Sequence, residues 1–242
     1  YYVMEYCKGG SISKYLKRVG FFSENVSRFY IAEIVLGLKA LHYEYKIIYR
    51  DLKPENCLLG DDGHIKITDF GLSTIDKKFS TTGCGTPEFI APEILKNQPH
   101  NRMVDYWSLG CMLYLFLFGK YPFYEEDIQL QYQKIKAGKY SFPDKPFVSE
   151  EAKDLIKGLL KVNVQKRLGY NNIEEITESN FFVGINWNDI YNKKYPAPIK
   201  VEEGTINEER EKDLSPQESV QINGFTYEPP ENNDLSSARL HI

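Results

Sequence analysis

The chain has 242 residues, 42% of them apolar and 26% charged, with a formal net charge of -4 at pH 7; that balance fits a soluble globular protein with a substantial core. The charge is uneven, with 24 Lys and Arg against 23 Asp and Glu in residues 1–183 but 6 against 11 in residues 184–242, which gives no support to a nucleic-acid partner. The longest apolar run, Cys111–Phe118, falls far short of the roughly 20 residues that span a bilayer.

No leader of positive, apolar and small residues opens the sequence, so the expectation is a soluble intracellular protein, cytoplasmic or nuclear, with no membrane span. Cys7, Cys57, Cys84 and Cys111 form no CxxC pair and have no His at metal-ligand spacing. They read as free thiols in a reducing compartment.

Tyr1–Tyr6 is aromatic and suits a strand, which Gly9 and Gly10 interrupt before a helical pattern over Ser11–Val19. Ser23 is placed as an N-cap before Glu24, and Val26, Phe29, Tyr30, Ile34, Leu38 and Leu41 recur at helical spacing. Glu24–Tyr45 therefore reads as one long amphipathic helix. Two short β pieces follow, Cys57–Leu59 and Ile65–Thr68, joined by the hairpin chemistry of Asp61, Asp62 and Gly63. Phe70–Pro92 has turn residues but no sustained period and reads as a long ordered loop. Helices are expected over Val104–Phe118, Asp127–Ala137 and Ser149–Leu160. From Gly184 the composition turns to Glu, Asn, Pro and Ser, and the period is lost. No internal repeat interrupts the pattern.

Chemistry concentrates in YRDLKPEN, Tyr49–Asn56, and in DFG, Asp69–Gly71, which begins 13 residues after Asn56. Together they offer a base, a cation and two oxygen ligands for Mg²⁺, the set that phosphoryl transfer from ATP requires. A lone DFG is weak, since any tripeptide recurs by chance. Joined to APE at Ala91–Glu93 and DYWSLG at Asp105–Gly110, in this order and spacing, it is specific.

These motifs, with the YRD form of the loop, the GCGTPEFIAPE segment and the acidic tail, resemble the AGC group of Ser/Thr protein kinases. The resemblance implies a protein-kinase-like fold of which this chain holds the large lobe alone, mainly α with a small β unit. It implies ATP and Mg²⁺ as cofactors, protein substrates with Ser/Thr acceptors and an upstream activating kinase, without defining an oligomeric state. By resemblance Asp51 accepts the proton of the substrate hydroxyl, Lys53 neutralises the transferring phosphoryl group, and Asn56 and Asp69 hold Mg²⁺. Arg50 pairs with a phosphorylated Thr82. Glu55 and Thr86 contact substrate, Thr86 fitting a Ser/Thr enzyme. Glu93 and Arg167 match a buried ion pair, and Asp105 a residue that hydrogen-bonds the catalytic-loop backbone. Met4, the backbone C=O of Glu5 and the N–H of Cys7 match the groups that line the adenine site. In the tail, Pro196–Pro198 and INGFTY, Ile222–Tyr227, resemble AGC tail segments, with Thr226 at a phosphorylatable position. Ser215-Pro216 is a second candidate, and a disordered acidic linker accounts for the same stretch.

Several positions depart from the family. Ser11 and Leu115 stand where acidic substrate-binding residues are expected, Thr74 where a Lys is usual, and Asn163-Val164 where DP is common. No glycine-rich loop, VAIK-type lysine or partner glutamate precedes Tyr1, so the expectation is a fragment of a longer parent enzyme that is poorly active alone. Residues 1–183 are read as the catalytic domain, truncated at its start, and 184–242 as the AGC tail. A non-catalytic module that occupies substrates or regulators is the alternative, and a calcium-regulated kinase is a third reading.

Overall fold

The structure is a computed structural model and describes residues 4–75 and 86–201, which fall in one compact unit. Met4–Cys7 runs without regular structure, so the part of the expected strand Tyr1–Tyr6 that falls on Met4–Tyr6 is not formed; residues 1–3 lie outside the described residues. A strand needs a ladder partner, and among the described residues the first to have one are those of β1 (Gly10–Ser11), opposite Leu59 and Leu58. Helix α1 (Ile12–Val19) follows at once and buries Ile12, Ser13, Tyr15 and Leu16.

Helix α2 (Glu24–Lys39) begins where the sequence places it, with the Ser23 hydroxyl accepting from the Val26 N–H at 3.4 Å. The helix does not run unchanged to Tyr45. Its last turn, Ala40–Glu44, widens to a π-helical turn, a local change of pitch that re-aims side chains near functional sites. Here it brings His42 into the interior.

Two small antiparallel sheets flank the next loop. β2 (Ile47–Ile48) pairs with β5 (Thr74–Ile75), while β3 (Cys57–Leu59) lies between β1 and β4 (Ile65–Ile67), Cys57 opposite Ile67. The 3-10 turn Pro54–Asn56 leads into β3. The β3–β4 hairpin is the expected one; β2, β5 and the short α3 (Pro92–Leu95) are too brief to leave a period in the sequence.

Helix α4 (Met103–Phe118) buries all 16 of its residues, as an all-round apolar helix must. α2 and α6 (Glu150–Leu159) pack on it, with α5 (Ile128–Ala137) farther out against α3. Gly110 permits the close α4–α6 approach, since a Cβ there would lie 2.9 Å from the Leu159 Cβ. One carboxylate ties two helix starts together: Glu24 accepts from the Ser149 N–H at 3.0 Å and hydroxyl at 2.9 Å, and Ser149 caps α6. Among the described residues no helix is long and apolar enough to cross a membrane.

Packing continues past Gly184. After the short α7 (Glu174–Thr177), α8 (Trp187–Tyr191) sets Trp187 edge-on to Phe182 at 5.0 Å and buries Ile190. The chain then straps over the hairpin turn. The Tyr30 hydroxyl donates to the Gly63 carbonyl at 3.2 Å and accepts from the Ile199 N–H at 3.1 Å. Gly63 has φ +77 and faces the Ile199 carbonyl so closely that any Cβ would overlap it. Two constraints therefore demand glycine here.

Glu93, in the first turn of α3, and Arg167, in the turn after α6, form the expected ion pair. Nη1 and Nη2 of Arg167 donate to the two carboxylate oxygens at 2.7 and 2.9 Å; Nη1 also reaches the Met103 carbonyl at 2.7 Å and Nε the Lys161 carbonyl at 3.0 Å. The guanidinium lies over the Trp107 ring. Both side chains are buried, so removing one partner strands the other's charge. Glu93→Gln is expected to lower the unfolding free energy by about 3 kcal/mol or more, read by urea denaturation, and a Glu93→Met, Arg167→Met pair to recover part of the loss.

His100 is buried in the turn before α4. Burial holds its imidazole below the usual value of 6.5, and the positive charge of Arg50 acts the same way. The folded chain thus binds fewer protons than the unfolded one as pH falls below 6.5. Stability from this residue is present above that value and lost as pH falls through it. The difference in melting temperature between pH 7.5 and pH 5.5 is expected to shrink in His100→Phe.

Candidate active site

The loop Tyr49–Lys53 leaves β2 and is gripped by a single carboxylate from the first turn of α4. Asp105 is fully buried. Its Oδ1 accepts from the Arg50 N–H at 2.7 Å, and its Oδ2 accepts from the Tyr49 N–H at 2.9 Å and pairs with His42 Nε2 at 2.6 Å. His42 Nδ1 meets the Tyr106 hydroxyl at 3.2 Å. Arg50 has φ +68, a left-handed conformation unfavourable for a side-chain-bearing residue. The bonds to Asp105 hold it there. Tyr49 adds three ties: its hydroxyl donates to the Thr68 carbonyl, its carbonyl accepts from the Ser73 hydroxyl at 3.3 Å, and its ring stands edge-on to Phe70 at 5.4 Å. Burial pushes the Tyr49 phenol well above its ordinary value, so it stays a neutral donor.

This clamp brings together Asp51, Lys53, Asn56 and Thr86. Lys53 Nζ lies 2.8 Å from Asp51 Oδ2 and 3.0 Å from the Thr86 hydroxyl, which donates to Asp51 Oδ1 at 3.1 Å. The Asn56 amide nitrogen donates to both Oδ2 and the carbonyl of Asp51, at 2.8 and 3.0 Å. Asp51 and Asn56 are each 7% exposed, so the carboxylate has fixed partners and little solvent. Thr86 is held by a turn whose Phe89 carbonyl accepts from Ser108 on α4 at 2.9 Å.

Asp69 is solvent-exposed and left-handed at φ +59, with its Oδ1 accepting from the Gly71 N–H at 3.1 Å. The Thr68 N–H donates to the Asn56 carbonyl at 3.0 Å, which sets the two segments side by side. Among the described residues no cluster of three or more His, Cys, Asp or Glu gathers to hold a metal alone. The pair present suits a hard cation that keeps waters or phosphates as further ligands. With its nitrogen committed to Asp51, Asn56 would offer such a cation its amide oxygen, and Asp69 would offer a carboxylate.

The remaining expected residues are more dispersed. Arg50 sends its Nε to the Leu72 carbonyl at 2.7 Å, just past the DFG motif. Its expected partner Thr82 and the tail residue Thr226 lie outside the described residues. Met4 is 73% exposed, Glu5 pairs with Lys66, and the half-buried Cys7 has its thiol pushed up by burial. The Cys7 carbonyl accepts from the Gly10 N–H at 3.1 Å, a turn that leads this segment into β1. Cys7, Cys57 and Cys111 are free thiols as expected. Glu55 accepts from the Ser13 hydroxyl at 2.7 Å.

Sequence reasoning did not find His42 or Ser13. Each lies on a helix in a spacing that marks it as an ordinary position, and only the fold reveals its partner.

Residues 1–182 match the family described as protein kinase domain. The chain is 45% identical over 201 residues to the cAMP-dependent protein kinase catalytic subunit 3 of Drosophila melanogaster, covering 82% of this chain and 34% of that protein. It is 43% identical to the RAC-beta serine/threonine-protein kinase A of Xenopus laevis, covering 82% of this chain and 41% of the relative. It is also 45% identical to protein kinase 2 of Dictyostelium discoideum, covering 85% and 43% respectively. The chain thus spans between a third and a half of the length of these relatives. By the match across its first three quarters, by these relatives and by the motifs assembled around Asp51, the chain belongs to the protein kinase family, within its AGC group.

Proposed function

We propose that the protein containing this chain is a serine/threonine protein kinase, transferring the γ-phosphoryl group of ATP, with Mg²⁺, to Ser and Thr hydroxyls of protein substrates. The observation that carries this reading is the bonded cluster of Asp51, Lys53, Asn56 and Thr86 on a loop clamped by Asp105. Asp51 orients the acceptor hydroxyl and takes its proton. The Thr86 hydroxyl on Asp51 Oδ1 marks a place from which an acceptor hydroxyl reaches the carboxylate. Lys53, already beside Asp51, offsets negative charge on the phosphoryl oxygens. Asn56 and Asp69 would hold the metal, which when bound would supply positive charge to offset that of the phosphates. Met4, Glu5 and Cys7 belong, in this reading, to the adenine edge of the site.

The same reading assigns residues 1–183 to the catalytic domain and 184–242 to a regulatory tail. It makes Arg50 the partner of a phosphate placed on Thr82 by an upstream kinase. An added dianion next to a guanidinium gains charge-assisted hydrogen bonds that order a segment.

Two variants of the full-length protein test this with ATP and a pool of Ser/Thr peptides. Asp51→Asn is expected to lower kcat by at least about a hundredfold with an unchanged melting temperature; turnover equal to the parent's would overturn the assignment. Thr82→Ala is expected to lower activity by about tenfold or more, the worth of one charge-assisted pair. Loss of a phosphate-dependent mobility shift in that variant identifies the modified residue.

A further inference from the structure

Residues 4–8 have little backbone structure to hold them. Among the described residues, their only main-chain hydrogen bond is the one that the Cys7 carbonyl accepts from the Gly10 N–H at 3.1 Å, and Met4 and Glu5 are exposed. Side chains do the fastening. The Lys66 ammonium donates to Glu5 Oε1, and farther along the segment Lys8 Nζ lies 3.8 Å from Asp61 Oδ2. Both ties run to the β3–β4 hairpin, and the first is the closer contact.

Lys66 is well placed as an anchor. Its backbone is fixed in β4 opposite Leu58, and its stem passes over Gly60, where a Cβ would lie 3.3 Å from the Lys66 Cε. The bond to Glu5 raises the ammonium above its ordinary value, so it stays charged. Burial raises the Cys7 thiol and the Lys66 charge opposes that rise, so the ammonium acts on Glu5 and Cys7 alike. Only three positions of chain separate Lys66 from Asp69, at most about 11 Å when fully extended. One strand therefore holds the segment at residues 4–8 and leads directly to the carboxylate read as a metal ligand.

We infer, on the kinase reading above, that the Lys66–Glu5 pair positions the groups that receive the adenine ring of ATP: it fixes the Glu5 carbonyl and the Cys7 N–H relative to the strand that leads to Asp69. Lys66 is thus a positioning residue that acts through Glu5 and needs no contact with the nucleotide. Hydrogen bonds to the edge of a flat ring weaken steeply when the peptide groups that make them turn away, and holding a segment in its bound conformation lowers the entropy cost of binding. The pair is partly open to solvent, 36% at Lys66 and 68% at Glu5. Its effect is accordingly small and falls with salt.

The test uses the full-length protein and adenosine, an uncharged ligand that reaches the adenine edge without phosphates or metal, with binding read by calorimetry. Lys66→Glu and Glu5→Lys are each expected to weaken the adenosine Kd by about threefold at low salt, and by less than about 1.5-fold at about 1 M salt, where exposed pairs are screened. Joining the two substitutions in one chain restores opposite charges and should return Kd to within about 1.5-fold of the parent's. In Lys66→Glu the KM for ATP should rise by the same factor, the change lying in KM rather than kcat. Lys8→Glu reverses a charge of the same segment at the longer contact and is expected to change adenosine binding by less than about 1.5-fold. An adenosine Kd unchanged in Lys66→Glu, a double variant no tighter than the single ones, or an equal loss in Lys8→Glu overturns the inference and leaves the kinase reading standing. A parent that binds no adenosine and turns over no peptide with ATP sinks the kinase reading itself.

Discussion

Everything in the candidate site depends on how Asp105 holds the loop above it. A carboxylate with no solvent exposure must have its charge met by donors, and this one has three, two of them backbone N–H groups of Tyr49 and Arg50. The carboxylate stands in the first turn of α4, where the helix dipole also favours negative charge. Because all of α4 is buried, the anchor cannot drift without disturbing the core. The loop therefore takes its position from the most deeply packed element of the molecule, and the left-handed turn at Arg50 is sustained by bonds that no exposed loop could supply.

From that anchor the rest of the site follows by short steps. Asp51 is the next residue after the clamped pair, and Lys53 and Asn56 come within five positions, too near for their placement to vary once the 3-10 turn Pro54–Asn56 is formed. Asp69 is far in sequence but is carried in by the β3–β4 hairpin, whose outgoing strand ends at the Thr68 to Asn56 bond. The hairpin is in turn held from behind by Tyr30 and by the strap through Ile199. Two residues with left-handed backbones, Arg50 and Asp69, flank the Asp51 cluster. Strain of this kind persists only where surrounding structure over-determines it.

The chain shares 43–45% of its residues with three kinases over most of its described length, and the Asp51 cluster is where family chemistry is expected to be held in common. The loop Tyr49–Lys53 is fixed from beneath by Asp105 of α4, while Ser13 and Leu115, on α1 and α4, are buried beside it.

Much was legible before any coordinates. The period of α2, its Ser23 cap, the apolar run of α4 and the Asp-Asp-Gly hairpin are local signals, each determined by residues within a few turns of one another. So was the presence of these chemical groups, because YRDLKPEN and DFG place two carboxylates, a cation and an amide on short stretches of chain. The sequence alone could not show that the last turn of α2 widens to bring His42 onto Asp105. Nor could it show that Ser13 bonds Glu55, that the chain after Gly184 packs as far as Val201, or that Met4–Cys7 runs without regular structure. Those features were decided by the tertiary structure. Hydrogen bonds between residues tens of positions apart are selected only when the apolar faces of α2, α4 and α6 close on one another, and that closure is a property of the whole chain that no local spacing encodes.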